Sequence, residues 1–333
     1  MKNFAYGRVS SIEEAVNRAT GDRSAVYIAG GTNLVDRLKA FLDEPTQLLD
    51  ISRLEIEMKR IEPTLEGGFR IGALVTNTDL ANHAEMRDQY PMLSRAILSG
   101  ASQQIRNMAT VGGNLMQRTR CPYYCDPAFA CNKRQPNTGC PAINGVNRTH
   151  AILGASERCV AVNPSDMSVA LAALEASVEV QGEQGRREIP LVDFHRLPGD
   201  TPDRDTNLEP SELIIAVRLP PLAFAQSGVY LKLRDRASYA FALVSVAAAL
   251  ELSGDQIRNA RIALGGVAHK PWRASEAEAF LQGRAANPST FEQAADRALQ
   301  DAQPLSYNGF KVDLSKRAIR RALAVSARGG GIA

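Results

Sequence analysis

All five cysteines of the chain fall within the 39 positions from Cys121 to Cys159, spaced Cys121-x3-Cys125-x5-Cys131-x8-Cys140-x18-Cys159. A cysteine-free body with one dense cluster argues against a general disulfide framework, which would staple several regions. The segment between the cysteines is rich in Pro, Gly, Asn and Arg. It reads as a loop that needs something to fold around. Thiolates are soft ligands suited to zinc or to iron–sulfur clusters. Zinc sites usually show tight C-x2-4-C pairs on both sides, and here only Cys121 and Cys125 come close. Irregular spacing in a long loop fits an iron–sulfur cluster better, with free thiols as the plain alternative. Arg118, Arg120, Lys133 and Arg134 are expected to offset the charge of a four-thiolate cluster.

A chain of 333 residues is long for one compact core, so two or three subdomains are expected. Hydrophobic residues make up 44% and charged residues 23%, the balance of a globular protein. A net charge of +3 with scattered basic residues gives no nucleic-acid footprint. No run reaches the roughly 18 apolar residues that a membrane span needs, so membrane insertion is not expected. The N-terminus Met1-Lys2-Asn3-Phe4-Ala5-Tyr6 has no apolar signal core. Export is then expected only in company with a signal-bearing partner.

Periodicity divides the chain further. Ala25–Ala29 reads as a buried strand, Leu34–Phe41 as a helix and Gln47–Ile51 as a second strand, giving a small α/β unit over 1–55. A second unit, 56–221, opens with a strand at Phe69–Ala73. It continues with a capping box at Thr76/Asp79 and helices at Pro91–Gly100 and Met167–Ala176, then strands at Ser177–Val180 and Leu213–Leu219. Its cysteine-rich loop spans 118–159. In the third unit, 222–333, Tyr230–Arg234, Ala242–Leu252 and Ile257–Leu264 predict an antiparallel meander. Helices are predicted over Arg273–Leu281, Ser289–Asp301 and Ser315–Ala327, and the Gly329-Gly330-Gly331 end is expected to fray.

Two glycine motifs carry the next signal. In Ala29-Gly30-Gly31-Thr32-Asn33-Leu34, paired glycines between a strand and a helix let backbone N–H groups approach an anion. The spacing is neither a Rossmann fingerprint nor a phosphate loop, and a plain strand–helix turn has the same appearance. Ala109-Thr110-Val111-Gly112-Gly113-Asn114-Leu115 is a second pair with flanking Thr and Asn. Two such loops are expected to converge on the two phosphates of a dinucleotide through backbone donors, a tight turn being the alternative. His83, His150, His195 and His269 form no metal-binding pair or relay, and surface or core roles are expected for them.

These residues together resemble the FAD-binding subunits of molybdenum hydroxylases of the xanthine oxidase family. The likeness extends to Pro164-Ser165-Asp166-Met167, Lys232-Leu233-Arg234 and Ala263-Leu264-Gly265-Gly266-Val267-Ala268, and so covers nearly the whole chain. Arg118-Thr119-Arg120-Cys121-Pro122-Tyr123, Cys131-Asn132-Lys133-Arg134 and Gly139-Cys140 are similar to the FAD subunits of periplasmic bacterial aldehyde oxidoreductases, which carry a 4Fe-4S cluster.

The resemblance implies an α+β chain: a two-subdomain FAD-binding fold of the vanillyl-alcohol oxidase/CO dehydrogenase flavoprotein type, plus a C-terminal α+β domain. It implies FAD at Ala29, Gly30, Gly31, Thr32, Asn33, Leu34, Thr110, Gly113, Asn114, Asp166 and Lys232, with the first loop and Asn114 on the pyrophosphate, Asp166 toward the ribose or adenine, and Lys232 near the flavin. It implies a 4Fe-4S cluster on Cys121, Cys131, Cys140 and Cys159, with Cys125 left over. The partners implied are a large molybdenum-cofactor subunit, a small subunit with two 2Fe-2S clusters and an external electron acceptor. The location implied is periplasmic by co-export, otherwise cytoplasmic. Rivals are a stand-alone flavin reductase, a coenzyme A thioester reductase subunit and a zinc-stabilised nucleic-acid module. The cysteine loop counts against the first and the small net charge against the last.

Overall fold

The computed structural model describes residues 1–330; of the glycine-rich end expected to fray, Gly331 lies outside them. Three sheets follow one another along the chain. The first has three parallel strands, with Gln47–Asp50 between Ala5–Arg8 and Ala25–Ile28. Parallel neighbours need crossovers, and the helices Ile12–Gly21 and Leu34–Lys39 provide them. Ile12, Ala15, Val16 and Ala19 recur at helical spacing and turn one face of the first helix into the core. Its start is fixed by Ser11, whose side chain accepts from Glu14 N.

The second sheet has five strands, all antiparallel, in the order Ile61–Pro63, Phe69–Gly72, Leu213–Leu219, Ser177–Gly182, Gly185–Pro190. The apolar run Leu213–Leu219 is its central strand, as a run buried on both faces should be. The first two sheets share one hydrophobic core, from Val9 and Leu49 through Phe69 to Val217. The Tyr27 hydroxyl bridges them, donating to Ser211 O at 2.8 Å.

The third sheet is the expected meander, Val229–Leu233, Val244–Ser253, Gln256–Gly265 and Trp272–Arg273. Helices Ser275–Leu281, Pro288–Ala298 and Phe310–Ser326 back it and build a second core. The last helix begins at Phe310 rather than Ser315, because Lys311, which reads as a surface residue, is fully buried. The helix Asp166–Ala173 is buried from Met167 to Ala173 and packs against helix Pro91–Ser99 and the third sheet. A helix apolar all round is one enclosed on every side. No helix among the described residues is long and apolar enough to cross a membrane.

The glycine motifs lie where the units meet. Gly31 has a φ of +69°, the left-handed region. Gly30 is needed for a different reason: a Cβ there would stand 1.7 Å from the carbonyl oxygen of Met108. The second motif is not a loop but a five-residue helix, Val111–Leu115, capped by Thr110. Gly112 allows it to lie on Ala73, whose Cβ is 3.2 Å from where a side chain would begin.

Gly30→Ala is expected to cost more than about 3 kcal/mol, since the clash is with backbone that has no rotamer to change. A fall in the urea midpoint with unchanged slope would register it; an unchanged midpoint would refute the close approach.

Candidate functional site

The first glycine turn forms the floor of a cleft of about 440 Å³. A neighbouring cavity of about 240 Å³ shares Thr32, Asn33, Gly113, Gln117 and Pro164 with it, so the two lie on either side of the paired glycine motifs. Of the predicted residues, Ala29, Gly30, Gly31 and Leu34 line the larger part with Thr110. Asn114, Asp166 and Lys232 line the smaller. Thr32, Asn33 and Gly113 line both.

Among the described residues, no protein acceptor takes the backbone N–H of Gly30, Gly31, Thr32 or Asn33. Four successive unpaired amides make a cradle for an anion. The second motif differs from expectation here. Its amides are already committed: Gly112 N donates to Ala73 O at 2.8 Å, Gly113 N to Thr110 Oγ1 at 3.2 Å and Asn114 N to Thr110 O at 2.8 Å. A short helix consumes the donors that an open turn would have left free. What this wall offers is the Asn114 side chain. Its Oδ1 accepts from Gln117 Nε2 at 2.8 Å and Ser165 Oγ at 2.6 Å, leaving the amide nitrogen for a ligand.

Asp166 and Lys232 were expected at opposite ends of the cofactor; the structure pairs them. Lys232 Nζ donates to Asp166 Oδ2 at 2.7 Å and to Ser99 O at 3.0 Å, and the Tyr230 hydroxyl donates to Asp166 Oδ1 at 2.6 Å. Both charged side chains are buried, at 9% and 4% exposure, so the pair is held by hydrogen bonds rather than by solvent. They mark one end of the cleft, beside the exposed aromatics Tyr239 and Phe241.

The cysteine loop folds with almost no regular structure, and Asn132 holds it together. Its Oδ1 accepts from Gly139 N at 2.7 Å, its own N–H donates to Gly139 O at 2.9 Å, and its Nδ2 donates to Arg158 O at 2.9 Å. Asn132 adjoins Cys131, Gly139 adjoins Cys140, and Arg158 adjoins Cys159. One side chain thus brings three cysteines to one place. Cys121, Cys131, Cys140 and Cys159 line one small cavity; Cys125 does not. Burial pushes the Cys121 thiol up to about 12 and Cys159 up to about 11. Among the described residues, no group of three or more His, Cys, Asp or Glu side chains is set to hold a single metal ion. The four thiols are gathered only as part of the lining of that one small cavity. Four thiolates are a donor set that an iron–sulfur cluster can use.

The basic residues beside the cysteines have other partners. Arg134 donates to the carbonyls of Tyr123 (2.8 Å), Tyr124 (2.5 Å) and Phe129, pinning the loop. Arg118 Nε donates to Asp205 at 2.5 Å, and Lys133 to the same carboxylate and to Pro202 O at 2.7 Å. Of the four, Lys133 alone helps lower the pKa of a cavity thiol, that of Cys159, while Arg120 and Arg134 act on Cys125. Asp205 gave no signal in the sequence. Burial works against its charge, but Lys133 and Arg118 overcome this and hold its pKa well below the carboxylate range. His150, His195 and His269 are core residues, each pushed down to about 4 mainly by burial.

Comparison with known proteins identifies the family. Residues 2–222 match the family described as FAD binding domain in molybdopterin dehydrogenase, and residues 229–325 match the CO dehydrogenase flavoprotein C-terminal domain. The chain is 49% identical to the aldehyde oxidoreductase FAD-binding subunit PaoB of Escherichia coli K12, over 97% of this chain and 98% of that one. It is 29% identical to the glyceraldehyde dehydrogenase medium chain of Sulfolobus acidocaldarius, over 91% of this chain and 89% of the relative. Among solved structures, carbon monoxide dehydrogenase from Hydrogenophaga pseudoflava superposes with a TM-score of 0.78 at 25% identity, covering 99% of each chain. Quinoline 2-oxidoreductase from Pseudomonas putida 86 does so at 0.76 and 26%, again over 99% of each. The chain belongs to the FAD-binding subunits of the xanthine oxidase-family molybdenum hydroxylases.

Proposed function

We propose that the chain is the FAD-binding, electron-transferring subunit of a molybdenum-dependent aldehyde oxidoreductase. Its partners on this reading are a large molybdenum-cofactor subunit and a small subunit with two 2Fe-2S clusters. The observation that carries it is the cradle of four unpaired amides at Gly30–Asn33, set at the junction of two cavities. The 49% identity to an aldehyde oxidoreductase subunit supports the substrate class. On the large subunit an aldehyde and water give a carboxylic acid, two protons and two electrons. FAD, when bound, supplies the redox chemistry that passes these electrons to an external acceptor.

The chain's own residues bind and orient. Gly30, Gly31, Thr32 and Asn33 present backbone donors to the pyrophosphate, flanked by Ala29 and Leu34, and Asn114 adds its amide from the facing wall, beside Thr110 and Gly113. The Asp166–Lys232 pair faces the isoalloxazine end, where the ammonium favours negative charge on reduction. Cys121, Cys131, Cys140 and Cys159 ligate a 4Fe-4S cluster, and Cys125 does not. The three units 1–55, 56–221 and 222–333 are the subdomains, the first two clasping FAD. Export takes place in the folded state with a signal-bearing partner. No general acid or base is required of this chain, because bond-making occurs elsewhere.

Anaerobically purified protein is expected to show flavin bands on a broad, dithionite-bleachable background, with about four iron per FAD. Flavin without iron would remove the cluster and keep the flavin site; neither chromophore in folded protein would remove both. Cys125→Ser is expected to keep its iron, whereas Ser at Cys131 or Cys140 loses the cluster. Iron retained in those two variants would reverse the ligand assignment. Asp166→Asn leaves the buried Lys232 ammonium without its counter-charge and is expected to weaken FAD binding about tenfold, the equivalent of about 1.4 kcal/mol. Equilibrium flavin-fluorescence titration reads this directly, and unchanged affinity would take the pair off the flavin.

A further inference from the structure

His150 lies on the cysteine loop, and its Nε2 is 3.1 Å from Cys121 Sγ. The residue is 2% exposed, and among the described residues its Nδ1 has no hydrogen-bond partner. The sulfur is therefore the ring's one polar contact. The other two core histidines are engaged differently: His195 meets Leu115 O and His269 meets Arg196 O.

The backbone around His150 is held by the start of the last helix and the turn before it. The His150 carbonyl accepts from Lys311 Nζ at 2.8 Å and from Asn308 Nδ2 at 3.2 Å. Asn147, whose carbonyl accepts from His150 N at 3.0 Å, is anchored in turn by Tyr307 N, which donates to its Oδ1 at 2.9 Å. Lys311 is 0% exposed and its hydrogen-bond partners are all carbonyls, those of Thr149, His150 and Gly266. A buried ammonium solvated only by carbonyls costs stability. Here it fixes one short segment of the cysteine loop to the third sheet.

We propose that His150 is a positioning residue which donates its Nε2–H to the Cys121 sulfur and raises the reduction potential of the cluster. This rests on the cluster assigned above. A sulfur bound to iron carries no proton, so the shared proton sits on the ring. A donor to a cluster thiolate stabilises the more negative, reduced state, and hydrogen bonds to the sulfurs are among the levers that set such potentials. Asn308 and Lys311 act through His150, by holding its backbone.

The test is an EPR-monitored redox titration of the anaerobically purified full chain carrying its flavin and iron. His150→Leu is expected to retain its iron and shift the reduction equilibrium about tenfold toward the oxidised form, ~59 mV lower for one electron. His150→Gln, whose amide can donate, is expected to restore most of the shift, and the flavin potential is expected to stay unchanged. An unaltered cluster potential in an iron-replete His150→Leu chain overturns the proposal. A three-iron signal in that variant also overturns it, by making the ring a ligand. Wild-type protein grown with imidazole-15N histidine keeps the question open to measurement even where the leucine variant does not fold. A weak nitrogen coupling to the reduced cluster is expected, and none overturns the hydrogen bond. Wild-type chain without iron defeats the cluster assignment itself, an outcome visible before any variant is made.

Discussion

The Asp205 carboxylate accepts from Arg118 and Lys133, and His269 Nε2 lies 3.8 Å away. Arg118 and Lys133 belong to the cysteine loop, His269 to the third unit, and Asp205 lines the larger cavity of the cleft. A single half-buried carboxylate therefore joins three regions that share no strand. Lys133 is buried and Arg118 half-buried, so removing the carboxylate would leave both cations short of their counter-charge, which costs more than losing one surface pair. The backbone N–H of Arg118 donates to Asn33 Oδ1 at 3.2 Å, and so the same node reaches the first glycine turn. Anchoring of the loop and the shape of the anion cradle are thus mechanically linked.

That linkage helps explain why a loop with so little regular secondary structure is ordered. It has hardly any core of its own. Asn132 ties it internally, Arg134 gathers three of its carbonyls, and Ile152 and Leu153 both donate to Val267 O of the third unit. Polar side chains carry most of the order, and Asn132, Arg134 and Asn147 are satisfied largely by backbone groups, as low-dielectric surroundings favour.

The sequence made legible what local pattern controls. The central strand Leu213–Leu219 and the meander announced themselves as apolar runs, and the glycine pairs marked the cleft. What escaped depends on long-range contact or on edges. Ala5–Arg8, Ile61–Pro63 and Gly185–Pro190 are short edge strands, exposed or half-buried along most of their length, with no apolar alternation to read. Val111–Leu115 is helical against the propensity of two glycines, because Ala73 leaves room for nothing larger. Asp166 and Lys232 lie 66 positions apart, and Asp205 follows Lys133 by 72. Nothing in composition or spacing joins such pairs, so the cation placement expected from the sequence around the cysteines was mostly different from the one observed.

The order of strands in the second sheet also governs how the chain is made. Leu213–Leu219 sits in the middle of the sheet yet is the last of its five strands to emerge from the ribosome. Its neighbour Phe69–Gly72 is complete long before, and the intervening segment contains the whole cysteine loop. Closing so long a chain segment is slow and entropically unfavourable until the final strand arrives. The five-stranded sheet cannot close before the thiols have been synthesised and exposed. The thiols therefore emerge well before the sheet beside them can form, and that interval ends when the nascent chain has supplied residues 213–219.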